Sequence, residues 1–111
     1  MKTEQPILIT SVKAAANITK NLFVGFDGNL CSANAKALGV SNADTDIYEQ
    51  LPVMSIGIAL VYSGGAVTQE DKVASDAAGK AVTFSTGEYN GRALDSSTGA
   101  DELIRVLLTS A

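Results

Sequence analysis

The stretch "SDAAGKAV" (75–82) sets a glycine and a lysine behind an aspartate and small residues, the composition of a loop that cradles phosphate. In such a loop backbone N–H groups hold the phosphate oxygens and the lysine neutralises them. A Walker-type loop needs two glycines bracketing four residues, then lysine and a hydroxyl residue, between a strand and a helix. Here the first glycine is missing, Ala81 stands where the hydroxyl is needed, and "KAVTF" continues as a strand. A hairpin turn with Gly79 at the position needing positive φ accounts for every letter. The parallel stretch "VGFDGNL" places Asp27 and Gly28 in the equivalent turn with no lysine. The turn reading is preferred, and Lys80 is then a solvated turn residue.

The remaining reactive side chains are sparse. Asp44, Asp46 and Glu49 could offer oxygen ligands to calcium, but no glycine sits at the loop centre and the spacing is not that of an EF-hand. A solvated acidic loop is the simpler reading. Asp101 and Glu102 precede an apolar run and read as surface charges that discourage edge pairing. Cys31 is the only cysteine, so no intramolecular disulfide can form. There is no histidine, which removes the serine and cysteine triads, the commonest general base and nearly every zinc site. The expectation is no catalytic residue, no metal and no cofactor.

Net charge is −4, with eight Lys and Arg against twelve acids. No basic footprint exists to displace counterions from phosphates, so no nucleic-acid partner is expected. The N-terminal residues lack the long apolar core of a secretory signal, and no run approaches the roughly 20 apolar residues of a membrane helix. The expectation is a soluble protein made in the cytoplasm, with no membrane partner. With 111 residues there is room for one domain. Its apolar content is mostly Ala, Val, Leu and Ile, which predicts a thin core and association with other subunits.

The elements that must position these residues are strands. "ILITSV" (7–12), "NLFVGF" (21–26), "LPVMSIGIALVY" (51–62), "KAVTF" (80–84) and "ELIRVLL" (102–108) are rich in Val, Ile and aromatics, with Gly, Asn and Asp clusters between them. "SVKAAANITKNL" (11–22) has only weak helical spacing and no strong cap. In the long central run the apolar set shifts from odd positions (Leu51, Val53) to even ones (Met54, Ile56, Ile58, Leu60, Tyr62). Strand alternation has period two, so the shift predicts a bulge or bend near Gly57. Pro52 puts its end of the run at an edge or strand start. In the last run Ile104, Val106 and Leu108 share one face, while Leu103 and Leu107 flank Arg105 on the other, which predicts cover on both sides.

These features predict an all-β fold, a small antiparallel β-barrel or β-tulip-like domain with a jelly roll as the alternative, carrying an extended N-terminal arm. Residues 1–12 form the arm or a first strand, and 13–111 form one β domain. Within it runs a weak two-fold repeat over about 21–53 and 71–108. Val24 and Asp27 match Val73 and Asp76 at the same offset, and Gly39 and Gly91 open similar runs.

The stretches "NLFVGFDGNL", "ALGVSNADT", "VMSIGIALVYSGGAVTQEDKVASDAAGKAV" and "GRALDSSTGADELIRVLL" occur in that order over roughly residues 18 to 108. In texture, order and spacing they resemble the small capsid cement, or decoration, proteins of tailed phages. The resemblance implies a non-enzymatic virion protein that binds the outer surface of the expanded head. It further implies that the protein bridges major capsid protein subunits as a homotrimer, with a dimer as the alternative. A stand-alone β-barrel module for a peptide or carbohydrate on a host surface is the competing reading.

The arm "MKTEQPILITSV" could add a strand to a neighbour's sheet. Pro6 biases its predecessor away from helix, and Ile7, Leu8, Ile9 and Val12 supply apolar anchors. These five residues are the candidate capsid-binding set. The same segment could equally be the first strand of its own barrel.

Overall fold

Runs of β-branched and aromatic residues fold as strands. The computed structural model describes residues 3–108. Met1 and Lys2 of the expected arm, and Thr109 to Ala111 of the expected domain, lie outside the described residues. Eight strands follow in order: β1 (Gln5–Lys13), β2 (Phe23–Val24), β3 (Gly39–Ser41), β4 (Gln50–Gly64), β5 (Lys72–Ser75), β6 (Ala81–Thr83), β7 (Gly91–Ala93) and β8 (Ala100–Leu108). Among the described residues no helix is long and apolar enough to cross a membrane.

The strands β4, β6, β5, β7 and β8 pair in turn and close on themselves through β4–β8. This is a small five-stranded barrel, not the two facing sheets of a jelly roll. Its pairings are antiparallel except β4–β6, which meet in parallel through Ser63 and Ala81. Outside the ring the first half of β4 carries β1 and β3, with β2 beyond β3. At Val53 and Met54 this strand is paired on both edges, to Thr10 and Ile9 of β1 and to Ser41 and Val40 of β3.

Both aspartate turns form. Asp27 Oδ1 accepts the Asn29 N–H at 3.1 Å, and Asp76 Oδ1 accepts those of Ala78 (2.8 Å) and Lys80 (2.9 Å). Gly28 and Gly79 take positive φ, 86° and 77°. Lys80 is more than a solvated turn residue, because its ammonium pairs with Asp101 at the start of β8. Glu102 does not guard an edge, since β8 is paired on both sides within the ring. Its carboxylate accepts the N–H groups of Thr98 (3.1 Å) and Gly99 (3.0 Å) and the Thr98 hydroxyl (2.9 Å), closing the turn before the strand.

The phase of β4 shifts where the sequence expects it to. The bulge near Gly57 exists, but the buried row inside the ring is the odd one: Ala59, Val61 and Ser63. Ile56, Ile58, Leu60 and Tyr62 point the other way and are half-buried. The reason is room. Barrel diameter grows with strand number, so five strands enclose space only for small side chains. The same holds on β8, where Ile104, Val106 and Leu108 are buried while the opposite face stays partly open, Leu107 being 46% exposed.

Among the described residues the core is accordingly built of small side chains, six alanines and seven valines against a single buried aromatic, Phe23. One cluster fills the ring and runs on to Phe23, Cys31, Ala37, Val40 and Met54 outside it, and a second, of Ala14, Ile18, Val24, Leu51 and Val53, sits beneath β1. Buried hydroxyls are tied to backbone. Ser63 Oγ donates to the Gly99 carbonyl at 2.7 Å, and Ser97 Oγ donates to that of Gly65 at 2.9 Å.

Cys31 is 1% exposed, and burial pushes its thiol above the ordinary 9.0. The native state therefore holds this proton to higher pH than the unfolded chain does. The stability it contributes is full below pH 9.0 and declines as pH rises past it. Two outcomes are expected: alkylation of the native protein about 100-fold slower than in denaturant, and a shallower alkaline loss of stability in Cys31→Ala. Fast native alkylation would contradict the burial.

Candidate docking surface along the first strand

Segment 5–13 is extended because Pro6 excludes helix at its start and Ile7, Ile9, Thr10 and Val12 are β-branched. It lies antiparallel on β4 of its own chain, from Gln5 opposite Ile58 to Lys13 opposite Gln50. The ladder is irregular in two places. Pro6 faces Gly57 and Leu8 faces Ile56, leaving Ile7 unmatched on β1; Ile9 faces Met54, leaving Ser55 unmatched on β4. Gly57, at φ 128°, makes the first irregularity possible. A Cβ there would collide with the Gln5 carbonyl oxygen and crowd the Ile7 amide.

The candidate residues fall into two groups. Pro6, Ile7, Leu8 and Ile9 are exposed, Ile7 at 78%. Val12 is half-buried and packs on the second core cluster, so it holds the strand down instead of facing outward.

Other exposed large apolar residues gather around the same strand. Phe26, 66% exposed, shares a groove with Leu8. Ile47 and Tyr48 sit on the loop that bonds to the end of β1, the Tyr48 N–H donating to the Ala14 carbonyl at 2.8 Å. Leu107 pairs with Ile58, which on its other edge pairs with Gln5. Among the described residues the exposed large apolar side chains thus lie on β1 (Ile7, Leu8, Ile9), in the groove next to it (Phe26), on the loop at its end (Ile47, Tyr48) and, with β4 between, on β8 (Leu107). Sequence reading found the β1 members by their run. Phe26, Tyr48 and Leu107 come from separate turns and strands, and only the topology places them around β1, Tyr48 at its Lys13 end and Leu107 across β4 from Gln5.

The groove has a volume of about 360 Å³ and is lined by Leu8, Phe26, Lys36, Leu38, Ser55 and Ile56, among others. Burial lowers the pKa of Lys36, with Glu88 opposing the shift. The Lys13 ammonium lies 5.5 Å from the Tyr48 ring centroid, a cation–π contact at the strip's end. On the β5–β7 side Lys72 covers Tyr89 and Phe84 at 4.8 Å and 5.8 Å.

The acidic loop is committed to backbone. Asp44 Oδ1 accepts the Lys20 N–H at 2.8 Å, and Glu49 Oε1 accepts that of Asp46 at 3.4 Å. Among the described residues no three His, Cys, Asp or Glu side chains gather as a metal would require. The surface offers apolar contact, strand edges and a few charges, which is the chemistry of protein–protein docking.

Comparison with known proteins agrees with this architecture. The family described as phage cement protein matches residues 1–108. The solved structure of the head fiber gp8.5 N base in bacteriophage phi29 superposes with a TM-score of 0.74 at 16% identity, covering 94% of this chain and 95% of that one. No curated protein matches.

Proposed function

The chain belongs to the phage cement protein family, and from that premise we propose that it is a non-enzymatic decoration protein that binds the outer surface of the expanded head. In this role it bridges neighbouring major capsid protein subunits and holds them against internal pressure. The observation that carries the reading is the gathering of exposed apolar side chains along β1, with Pro6, Ile7, Leu8 and Ile9 as the docking strip and Val12 as its anchor to the core. A strip of this kind is costly to leave in water and is explained by a partner that covers it. The small-residue core supports a further element of the reading, a homotrimer on the virion surface, with a dimer as the alternative.

The strand pairings also support one β domain built of two related units. Val24 faces Gly39 in the first and Val73 faces Gly91 in the second, and each glycine strand then pairs with a long strand, β4 or β8.

Co-sedimentation tests the function. Binding to expanded heads, and not to free capsid subunits, is the expected result. Failure to bind any head of its own phage would sink the reading. Sedimentation velocity at micromolar concentration tests the oligomer, and a monomer there removes the trimer without touching the head-binding claim.

A further inference from the structure

β1 forms one ladder, with β4, and no strand lies along its other edge. The ring strands have neighbours on both sides, and β3 lies between β2 and β4. The outer side of β2 is bonded through Phe23, whose N–H donates to Gly79 (2.7 Å) and whose carbonyl accepts from Cys31 (3.0 Å). Among the described strands β1 alone keeps an open edge.

Alternation decides which backbone groups face that edge, since successive residues of an antiparallel strand turn their N–H and C=O to opposite sides. Just past β1, Ala14 faces the β4 side, donating to the Glu49 carbonyl and accepting from the Tyr48 N–H. Ala15 faces the other way and donates to the Gly28 carbonyl at 3.1 Å. The partners on β4 agree. Pro52, opposite Ser11, turns its carbonyl to the Asn42 N–H, and Met54, opposite Ile9, turns its own against Gly39, both on the far side of β4. Ile9 and Ser11 therefore point their N–H and C=O groups outward. Both residues are exposed, and no loop or side chain bonds to these four groups.

The open stretch is bounded at both ends. At Lys13 the Asp27–Gly28 turn occupies the edge, so close that a Cβ on Gly28 would collide with the Lys13 carbonyl oxygen. At the other end Pro6 has no N–H to offer, and Ile7 is the unmatched residue of the irregular ladder. Leu8 to Val12 remains, room for a strand of about five residues.

The same turn narrows the occupant. Two copies of β1 would pair antiparallel about a two-fold axis, with Ile9 and Ser11 facing Ile9 or Ser11. Those registers set Lys13 of one copy opposite Gln5, Ile7 or Ile9 of the other. The Gly28 turn beside Lys13 then falls on the strand it is meant to meet. No other described strand of a second copy has an edge to offer. A segment of another protein, extended and without a turn on its edge, meets no such obstacle. Its side chains would alternate between Ile9 on one face and Leu8, Thr10 and Phe26 on the other, which favours apolar residues.

We propose that the Leu8–Val12 edge of β1 takes up an extended apolar segment of the capsid subunit as an added strand, bonded to the N–H and C=O groups of Ile9 and Ser11. This rests on the decoration reading above and adds to it that the backbone of β1 makes the contact together with its side chains.

Ser11→Pro removes an outward N–H, sets a ring where the added strand would lie, and takes no bond from the β4 ladder. It is expected to melt close to the parent protein yet to bind expanded heads about 100-fold more weakly, while Ser11→Ala binds within about 2-fold of the parent. Residue-resolved amide exchange on the unsubstituted chain gives a second reading. In the free protein Ile9 and Ser11 should exchange fast and Thr10 and Val12 slowly; on heads Ile9 and Ser11 should slow by at least about 100-fold. Full head affinity in Ser11→Pro, or unchanged exchange at Ile9 and Ser11 on heads that the parent does bind, overturns the added strand and leaves decoration standing. Protection of these two amides that grows with the protein's own concentration, without heads, assigns the edge to a second copy and overturns it too. A parent protein that binds no head removes the decoration reading, and the added capsid strand with it.

Discussion

Replacing Ile7 and Ile9 together by Asp is expected to weaken binding to expanded heads by about 100-fold while changing folding stability by no more than about 1 kcal/mol. Both side chains are exposed, 78% and 44%, so their removal leaves no cavity. An apolar anchor worth about 1.4 kcal/mol at an interface is tenfold in affinity, and two of them multiply to that loss. The counterpart is Val12→Asp. Its side chain packs on Ala14, Ile18, Val24, Leu51 and Val53, so a carboxylate there is expected to cost about 3 kcal/mol of stability. Titrating heads with each variant, alongside a urea melt, separates the two effects. Retained binding in the double variant would move docking off β1 altogether.

Gly39→Ala and Gly91→Ala are each expected to destabilise the fold by about 3 kcal/mol or more, at the upper end of overpacking costs. Gly65→Ala is expected to stay within about 0.5 kcal/mol. A Cβ on Gly39 would overlap the Met54 carbonyl oxygen, and one on Gly91 would overlap that of Leu107. In both cases the obstacle is ladder backbone. It cannot retreat without breaking the Val40–Met54 pair or the Arg92–Leu107 pair. Nothing lies within 4 Å of a Cβ on Gly65. Chemical denaturation of the three variants checks the ranking. Alanine tolerated at 39 or 91 would mean that the strands there are looser than this register implies.

The long strands were legible in the sequence because each carries enough residues to show period two. The short ones showed less sharply, β2 and β6 inside the runs "NLFVGF" and "KAVTF", and β3 and β7 only as the runs that Gly39 and Gly91 open in the repeat. β2, β3, β5, β6 and β7 hold two to four residues each, too few to display alternation. Two of them begin with a glycine, Gly39 and Gly91, a residue with no side chain to mark a face. "NLFVGF" shrinks to Phe23–Val24 because Asn21 takes φ 70° on one side and the Asp27–Gly28 turn follows on the other. Which face of β4 turns inward is hidden for a different reason. Sequence reading follows the largest apolar residues inward, whereas a five-stranded ring admits Ala59 and Val61 and sends Ile58 and Leu60 out. The candidate site was half visible. The run at 7–9 is visible in the sequence, but the groove depends on Phe26, Lys36 and Ser55, which lie far apart in the chain and meet only in the fold.

β4 is one unbroken strand shared by two structures: its first half carries β1, and its second half is a stave of the barrel. It works as a tie-rod. Tension taken up along β1 and resisted in the barrel runs down a single backbone, so the β1–β4 hydrogen bonds are strained together in shear instead of parting one by one. A protein held on a shell that swells from within meets tension of this kind. Pulling between Lys13 and Gly64 should therefore give one abrupt high-force rupture, and pulling between Lys13 and Gln50 a gradual low-force peel. Equal forces in the two geometries would show that the strand carries no such tension.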